Sequence, residues 1–106
     1  MDQAIKNASE CYKVCLETKM YCLKQGGKHV SPEHMQALAD CIEACKISEN
    51  FMIRNSPLHS KVCAVCAEAC KKCAESCEAM GDDQQMKKCA QACRKCEETC
   101  RAMANM

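Results

Sequence analysis

Aromatic residues, glycine and proline are all scarce in this chain of 106 residues, which contains two Tyr, one Phe, no Trp, three Gly and two Pro. Charge of one sign is not in excess either, since fifteen Lys and Arg face fourteen Asp and Glu. That balance excludes a field strong enough to hold nucleic acid or an anionic membrane surface. No run of about 18 uncharged apolar residues exists, so the sequence also predicts no membrane partner.

A secretory signal is also missing from the first ten residues, MDQAIKNASE, which contain neither an apolar core nor a cleavage site. We therefore expect a cytoplasmic protein. In that compartment thiols stay reduced, which matters for the cysteines described below.

The few helix breakers divide the chain into four segments of similar length. Val, Ile and Thr are sparse, whereas Ala, Glu, Lys, Gln and Met are abundant, which favours helix over strand. Short connections make sequential helices antiparallel. The predicted fold is all-α, a single up-down-up-down four-helix bundle over residues 1–106, with helices at about 3–25, 32–54, 57–80 and 83–104. His29 lies in a predicted linker, where we expect it to be exposed.

Fourteen Cys make up about 13% of the chain, far above ordinary usage. At 100° per residue, the Cys of each predicted helix fall within one narrow arc, and their spacings of 3, 4 and 7 are those of a face turned to a bundle axis. The opposite faces of the third and fourth helices are charged. The sequence therefore predicts a core lined by thiols, with these candidate metal ligands: Cys11, Cys15, Cys22, Cys41, Cys45, Cys63, Cys66, Cys70, Cys73, Cys77, Cys89, Cys93, Cys96 and Cys100.

Several uses of a thiol column fit this pattern less well than copper. Thiols four residues apart on a helix have Cβ atoms roughly 5–6 Å apart, beyond the roughly 3.5–4.5 Å of a disulfide, which leaves disulfides between helices as the open form of that alternative. Structural zinc prefers separate sets of four ligands, usually on turns, and iron–sulfur clusters use Cys on loops. Cu(I) is soft, seeks thiolates and accepts two or three ligands, so a continuous column can hold multiple Cu(I) ions per chain.

The spacing Cys63-x-x-Cys66-x-x-x-Cys70-x-x-Cys73-x-x-x-Cys77, with a similar run from Cys89 to Cys100 and sparser pairs on the first two helices, resembles the copper storage proteins. The resemblance covers nearly the whole chain and is closest to the cytosolic branch. It implies Cu(I) storage, all fourteen Cys as ligands, and a homo-oligomer that is commonly a tetramer. The chain departs from a denser pattern at Thr18 and Ser48, where a Cys would be in register.

Met52, His59 and Met103 are in phase with the thiol stripes and share one predicted end of the bundle. Thioether and imidazole are workable Cu(I) ligands, so we predict that they form an entry site for copper. The alternative is that the Met residues plug the end and His59 is solvated. At the opposite end, His34, seven residues before Cys41 and with Met80 and Met86 nearby, is a weaker candidate for metal ligation.

The function that these patterns predict is high-capacity Cu(I) storage without turnover, and therefore not an enzyme. Two alternatives remain open, namely a thiol redox or oxidant-sensing protein and a zinc-buffering protein like a metallothionein. Second apolar stripes on the first two helices either pack between helices or mediate self-association. These stripes comprise Ile5, Tyr12, Leu16 and Leu23, and Met35, Ile42 and Ile53.

Overall fold

The computed structural model describes residues 1–106 as four long helices with short connections, and it contains no strand. Helix α1 spans Asp2–Gln25, α2 Pro32–Ile53, α3 His59–Glu78 and α4 Gln84–Ala104, with a 3₁₀ helix at Gly27–Val30 between α1 and α2. The prediction of an all-α four-helix bundle is confirmed. The molecule is a rod of 42 × 18 × 18 Å.

Each helix packs against two others, so that α1 and α3 both lie beside α2 and α4. The antiparallel order places the starts of α1 and α3 and the ends of α2 and α4 together, and we call this the His59 end. The opposite end, where α1 and α3 finish and α2 and α4 begin, is the His34 end. The two ends differ in the side chains that cover them.

The helix starts show why the breakers lie where they do. The Ser31 hydroxyl accepts a hydrogen bond from the backbone N–H of His34 at 3.3 Å, and Asp83 Oδ1 accepts one from Met86 N–H at 3.2 Å, so both residues cap a helix. The connection between α2 and α3 turns at Asn55, whose φ of 53° lies in the left-handed region. Helix α3 begins at His59, two residues after the predicted start, because the Ser56 hydroxyl holds Leu58 N–H at 3.1 Å in the preceding turn.

The expectation that His29 is exposed is wrong. Its Nε2–H donates to Asp83 Oδ2 at 2.9 Å, and the Tyr21 hydroxyl donates to the same oxygen at 3.0 Å. The hydrogen bond from His29 is the main reason why the pKa of Asp83 is lowered. One carboxylate therefore ties α1, the 3₁₀ helix and the start of α4 together across the His34 end.

The apolar stripes of α1 and α2 are partly packed between helices and partly exposed. Ile5, Tyr12, Met35 and Ile42 are partly buried against the core, as expected for packing between helices. Three members of the same stripes are exposed, namely Leu16, Leu23 and Ile53. None of the helices is both long enough and apolar enough to cross a membrane.

Candidate metal centre

All fourteen Cys side chains are buried in the bundle interior, and none is more than 1% exposed. All four helices contribute, because the spacings of three, four and seven residues keep each stripe on the inner face as the helix turns. All fourteen thiols are free. The predicted thiol-lined core is therefore present in the structure.

The sulfur atoms form a column in which neighbours are in contact. Cys15 Sγ lies 3.6 Å from Cys93 Sγ, joining α1 to α4, and Cys41 Sγ lies 3.7 Å from Cys70 Sγ, joining α2 to α3. The column also crosses the axis diagonally. Cys45 Sγ on α2 is 3.8 Å from the sulfur of Cys96 on α4, although these two helices are not neighbours.

Ten of the sulfurs fall into four buried groups of four, and within each group all sulfurs lie within 4.8 Å of one another. The groups overlap, and at most two of the four can be filled at once without using the same cysteine twice. Thiolates can bridge soft ions, so shared sulfurs suit a chain of Cu(I) ions better than separate tetrahedral sites. The four groups are Cys11, Cys41, Cys45 and Cys70; Cys11, Cys15, Cys41 and Cys93; Cys15, Cys73, Cys89 and Cys93; and Cys45, Cys66, Cys70 and Cys96.

The four remaining cysteines lie towards the two ends of the column, and all of them hold their protons firmly. Burial raises the pKa of Cys22 and of Cys63 to about 11. Hydrogen bonding to neighbouring sulfurs, together with burial, raises the pKa of Cys77 and of Cys100. Oxidant-sensing thiols need access to solvent, and none of the fourteen is more than 1% exposed, so their burial opposes the redox alternative.

Two buried hydroxyls interrupt the sulfur lining at the positions where the sequence departs from a denser Cys pattern. The Thr18 hydroxyl donates to Val14 C=O at 2.7 Å and accepts from the Gln85 amide at 2.9 Å. The Ser48 hydroxyl donates to Cys45 C=O at 3.1 Å. Both hydroxyls are satisfied by local partners, which explains how they are tolerated in the core.

At the His59 end, Met52 is buried, whereas His59 and Met103 are partly buried. His59 Nδ1–H donates to Ser56 C=O at 3.0 Å, because a carbonyl can only accept. The other ring nitrogen, Nε2, is buried and has no hydrogen-bond partner. Because this nitrogen is buried, His59 is not the solvated residue of the alternative interpretation. With the proton on Nδ1, Nε2 carries a free lone pair.

At the His34 end, the structure brings His34 and Cys22 together in the interior. His34 is 1% exposed, and its Nε2 lies 3.4 Å from Cys22 Sγ. Burial is the main reason why the pKa of His34 is lowered, so the ring is neutral. The available signal was its position seven residues before Cys41, which places it on the inner face of α2.

Comparison with known proteins decides the family. The sequence model of the copper storage protein family matches residues 1–105 of this chain. The chain belongs to the copper storage protein family. The family membership predicted from the Cys spacing is thereby confirmed.

Solved structures of similar proteins share the whole four-helix bundle of this chain. A crystal structure of a protein from Nitrosospira multiformis has a TM-score of 0.91 at 44% identity, covering 98% of this chain and 94% of that one. Apo copper storage protein 3 from Bacillus subtilis has a TM-score of 0.85 at 30% identity and covers 97% of each chain. The Cu(I)-bound form of that Bacillus protein has a TM-score of 0.89 at 29% identity, covering 97% of this chain and 96% of that one.

A curated relative from Bacillus subtilis strain 168 is similar over part of the chain. It is the uncharacterized cysteine-rich protein YhjQ, which is 29% identical over 76 residues, or 72% of this chain and 70% of the relative. The chain is thus similar to copper storage proteins in both its sequence and its four-helix bundle.

Proposed function

We propose that this chain stores Cu(I) in its core, held by the thiolates of all fourteen cysteines. The observation that carries the proposal is the buried set of fourteen thiols, ten of which have a neighbouring sulfur 3.6 to 4.0 Å away. Soft thiolate ligands select Cu(I). The Cu(I)-bound relative from Bacillus subtilis, with a TM-score of 0.89, supports the same use of the same fold.

Charge balance determines how the column is filled. Fourteen buried thiolates without metal would be prohibitively costly, so the empty core holds neutral thiols. Each Cu(I) that enters replaces a proton, which leaves for solvent, and the resulting Cu–thiolate unit is neutral. If every ion had two thiolates and every thiolate bridged two ions, the fourteen Cys would hold about fourteen ions.

We propose that copper enters at the His59 end through Met52, His59 and Met103. The unpartnered lone pair on the buried His59 Nε2 supports this, because a buried polar atom without a partner is costly unless it has a ligand to bind. Thioethers and a neutral imidazole bind Cu(I) more weakly than thiolates do. An ion captured there would therefore move inward to Cys63 and Cys100.

The stored ion is cargo, so the protein carries out storage and not turnover. Storage by thiols requires them to be reduced, which supports a cytoplasmic location. The exposed residues Leu16, Leu23 and Ile53 support self-association of the bundle through α1 and α2. We propose a homo-oligomer, a tetramer by resemblance to the family.

An anaerobic titration tests the storage proposal. Cu(I) is added to reduced protein in the presence of a competing chelator, and bound copper and remaining free thiol are both counted. We expect many tightly held ions per chain and loss of all fourteen free thiols at saturation. The double variant Cys70→Ala with Cys96→Ala should bind fewer ions with unchanged helicity, and an unchanged capacity would contradict storage in the core.

Zinc buffering is the second candidate, because the groups of four sulfurs match the ligand number of Zn²⁺. Since no more than two groups avoid shared members, zinc would saturate at about two ions and leave free thiols at the ends of the column. The same titration with Zn²⁺ distinguishes the two metals. Saturation of the reduced protein by a few Zn²⁺ ions that Cu(I) does not displace would favour zinc.

Entry at the His59 end is tested by loading rates. His59→Ala should slow the uptake of Cu(I) in stopped-flow experiments several-fold while the final capacity changes little. His29→Ala is the matched control, because His29 is a histidine at the opposite end whose ring pairs with Asp83 and makes no hydrogen bond to a thiol. Equal rates for wild type and His59→Ala would refute this entry route.

A further inference from the structure

The His34 end contains a group of three side chains, two of them buried and one partly buried, that the storage column itself does not explain. Cys22 belongs to none of the groups of four sulfurs, and its side chain makes its hydrogen bond to His34 and not to another thiol. On its far side, the His34 ring is held by Ser76 of α3, with Nδ1 and the serine Oγ 2.7 Å apart. The three residues come from α1, α2 and α3.

We propose that Cys22 and His34 form a mixed sulfur–nitrogen site that holds the last Cu(I) ion at this end of the column, with Ser76 as a positioning residue. The proposal rests on the storage function above and deepens it. It assigns a ligand outside the fourteen cysteines and outside the entry site at the opposite end.

The geometry favours ligation by Nε2. A ring nitrogen that binds a metal must present its lone pair, and the other nitrogen then carries the proton. If Nδ1–H donates to the Ser76 hydroxyl, Nε2 faces Cys22 with its lone pair free for an ion. Such a hydrogen bond behind a metal-binding histidine fixes the tautomer and the ring orientation.

The separation of the two ligand atoms also suits one ion. Bonds from a d¹⁰ ion of this size are about 2.3 Å to sulfur and about 2.0 Å to nitrogen, as for Zn²⁺. Cys22 Sγ and His34 Nε2 are 3.4 Å apart, so a small side-chain movement lets one ion bridge them. Buried within the bundle, both atoms are held in place by the helices that carry them.

Charge explains why a histidine serves at the end of the column. An interior thiolate can share its charge between two ions, but a terminal thiolate has an ion on one side only. One Cu(I) bound by the Cys22 thiolate and a neutral imidazole is uncharged, whereas a second unshared thiolate would leave a buried negative charge. Loading replaces the Cys22 proton, which passes to solvent, and the imidazole keeps its proton on Nδ1.

Nitrogen NMR of the wild-type protein tests this site directly. Protein labelled with ¹⁵N on histidine is loaded anaerobically with Ag(I), a soft monovalent ion with a nuclear spin. A bond to silver should split the Nε2 signal of His34, while Nδ1 keeps its proton signal. An unsplit His34 signal in protein whose fourteen thiols are all occupied would overturn the site and leave the storage function intact. Failure of the thiols to bind would instead overturn storage.

Variants give a second measurement. His34→Ala should lower the Cu(I) capacity by about one ion per chain, whereas His29→Ala, at the same end, should leave it unchanged. Ser76→Ala should retain the ion but release it to a chelator about ten to a hundred times faster, the usual effect of losing such a supporting hydrogen bond. Equal capacity in wild type and His34→Ala would refute ligation by His34.

Discussion

The two ends of the bundle each carry one histidine in line with the sulfur column, but their surroundings are opposite. At the His34 end, both ring nitrogens lie beside a partner, namely Cys22 and Ser76. At the His59 end, one nitrogen is held by Ser56 C=O, and the other is buried without a partner. The His34 ring, with partners on both nitrogens, is held in place and suits retention of an ion. The His59 ring, with one nitrogen unpartnered, suits capture of an ion.

The side chains that cover the two ends also differ: those at the His34 end are held by hydrogen bonds, whereas those at the His59 end include a flexible methionine. Asp83 closes the His34 end by joining Tyr21 and His29 through hydrogen bonds of 3.0 and 2.9 Å. At the His59 end the covering side chains include Met103, which is partly exposed and flexible in its side-chain bonds. The two ends of the thiol column therefore differ both in the contacts of their histidines and in the side chains that cover them.

The largest expected effect is a loss of stability at high pH, to which the two ends should contribute alike. The pKa of Cys22 at one end and of Cys63 at the other are both raised from 9.0 to about 11 by burial. The neutral thiol is thus favoured in the folded state, so this contribution is complete below pH 9 and is lost as pH rises towards 11. The free energy of unfolding of metal-free protein, measured from helicity, should fall across that range.

Two variants show whether these thiols cause the fall. Cys22→Ala and Cys63→Ala should each reduce the steepness of the decline by a similar amount, whatever they do to stability at neutral pH. Cu(I)-loaded protein should show little decline, because its thiols have no proton to lose. A steepness that neither variant changes would contradict burial of these thiols in their neutral form.

The next effect separates packing from ligation by comparing a buried methionine at each end. Met52→Ala at the His59 end and Met86→Ala at the His34 end should each lower the free energy of unfolding by about 2–5 kcal/mol, since both side chains are buried. The volume-conserving changes Met52→Leu and Met86→Leu should cost less than about 1.5 kcal/mol. Chemical unfolding of metal-free protein measures both pairs.

The leucine variants then sharpen the difference between the ends. Met52→Leu removes a thioether from the proposed entry site, so it should slow the uptake of Cu(I) while leaving stability almost intact. Met86→Leu, the matched control at the His34 end, should load at the wild-type rate. Equal uptake by both variants would remove Met52 from the entry route.

The smallest effect concerns the covering of the His34 end. Asp83→Ala removes a helix cap and two hydrogen bonds, and it should lower the free energy of unfolding by about 1–2 kcal/mol without changing copper capacity. Asp82→Ala is the control, because the Asp82 side chain is 90% exposed and its ion pair with Lys87 contributes about 0–1 kcal/mol. Equal destabilisation by the two variants would show that Asp83 does not close this end.

Periodicity explains why much of this fold could be predicted from sequence. Spacings of three, four and seven residues determine which helix face a Cys occupies, so the inward direction of Cys63 to Cys77 follows without knowledge of the other helices. The caps at Ser31 and Asp83 are likewise local, since each lies beside the start of its own helix.

Contacts between distant segments could not be predicted in the same way. The pairing of Cys22 with His34 and Ser76 depends on how far three helices are shifted along their axes, which a single helical wheel does not contain. Likewise, His29 reaches Asp83 because the linker forms a 3₁₀ turn across the bundle end. Sequence therefore identified which residues face inward but not which of them meet.

The most direct test of a copper-filled core is anomalous X-ray scattering at the copper edge from crystals of Cu(I)-loaded protein. The account predicts a file of copper peaks along the bundle axis between the His34 and His59 ends, each beside at least one cysteine sulfur. Copper peaks confined to the outer surface, with the interior sulfurs still bare, would contradict it.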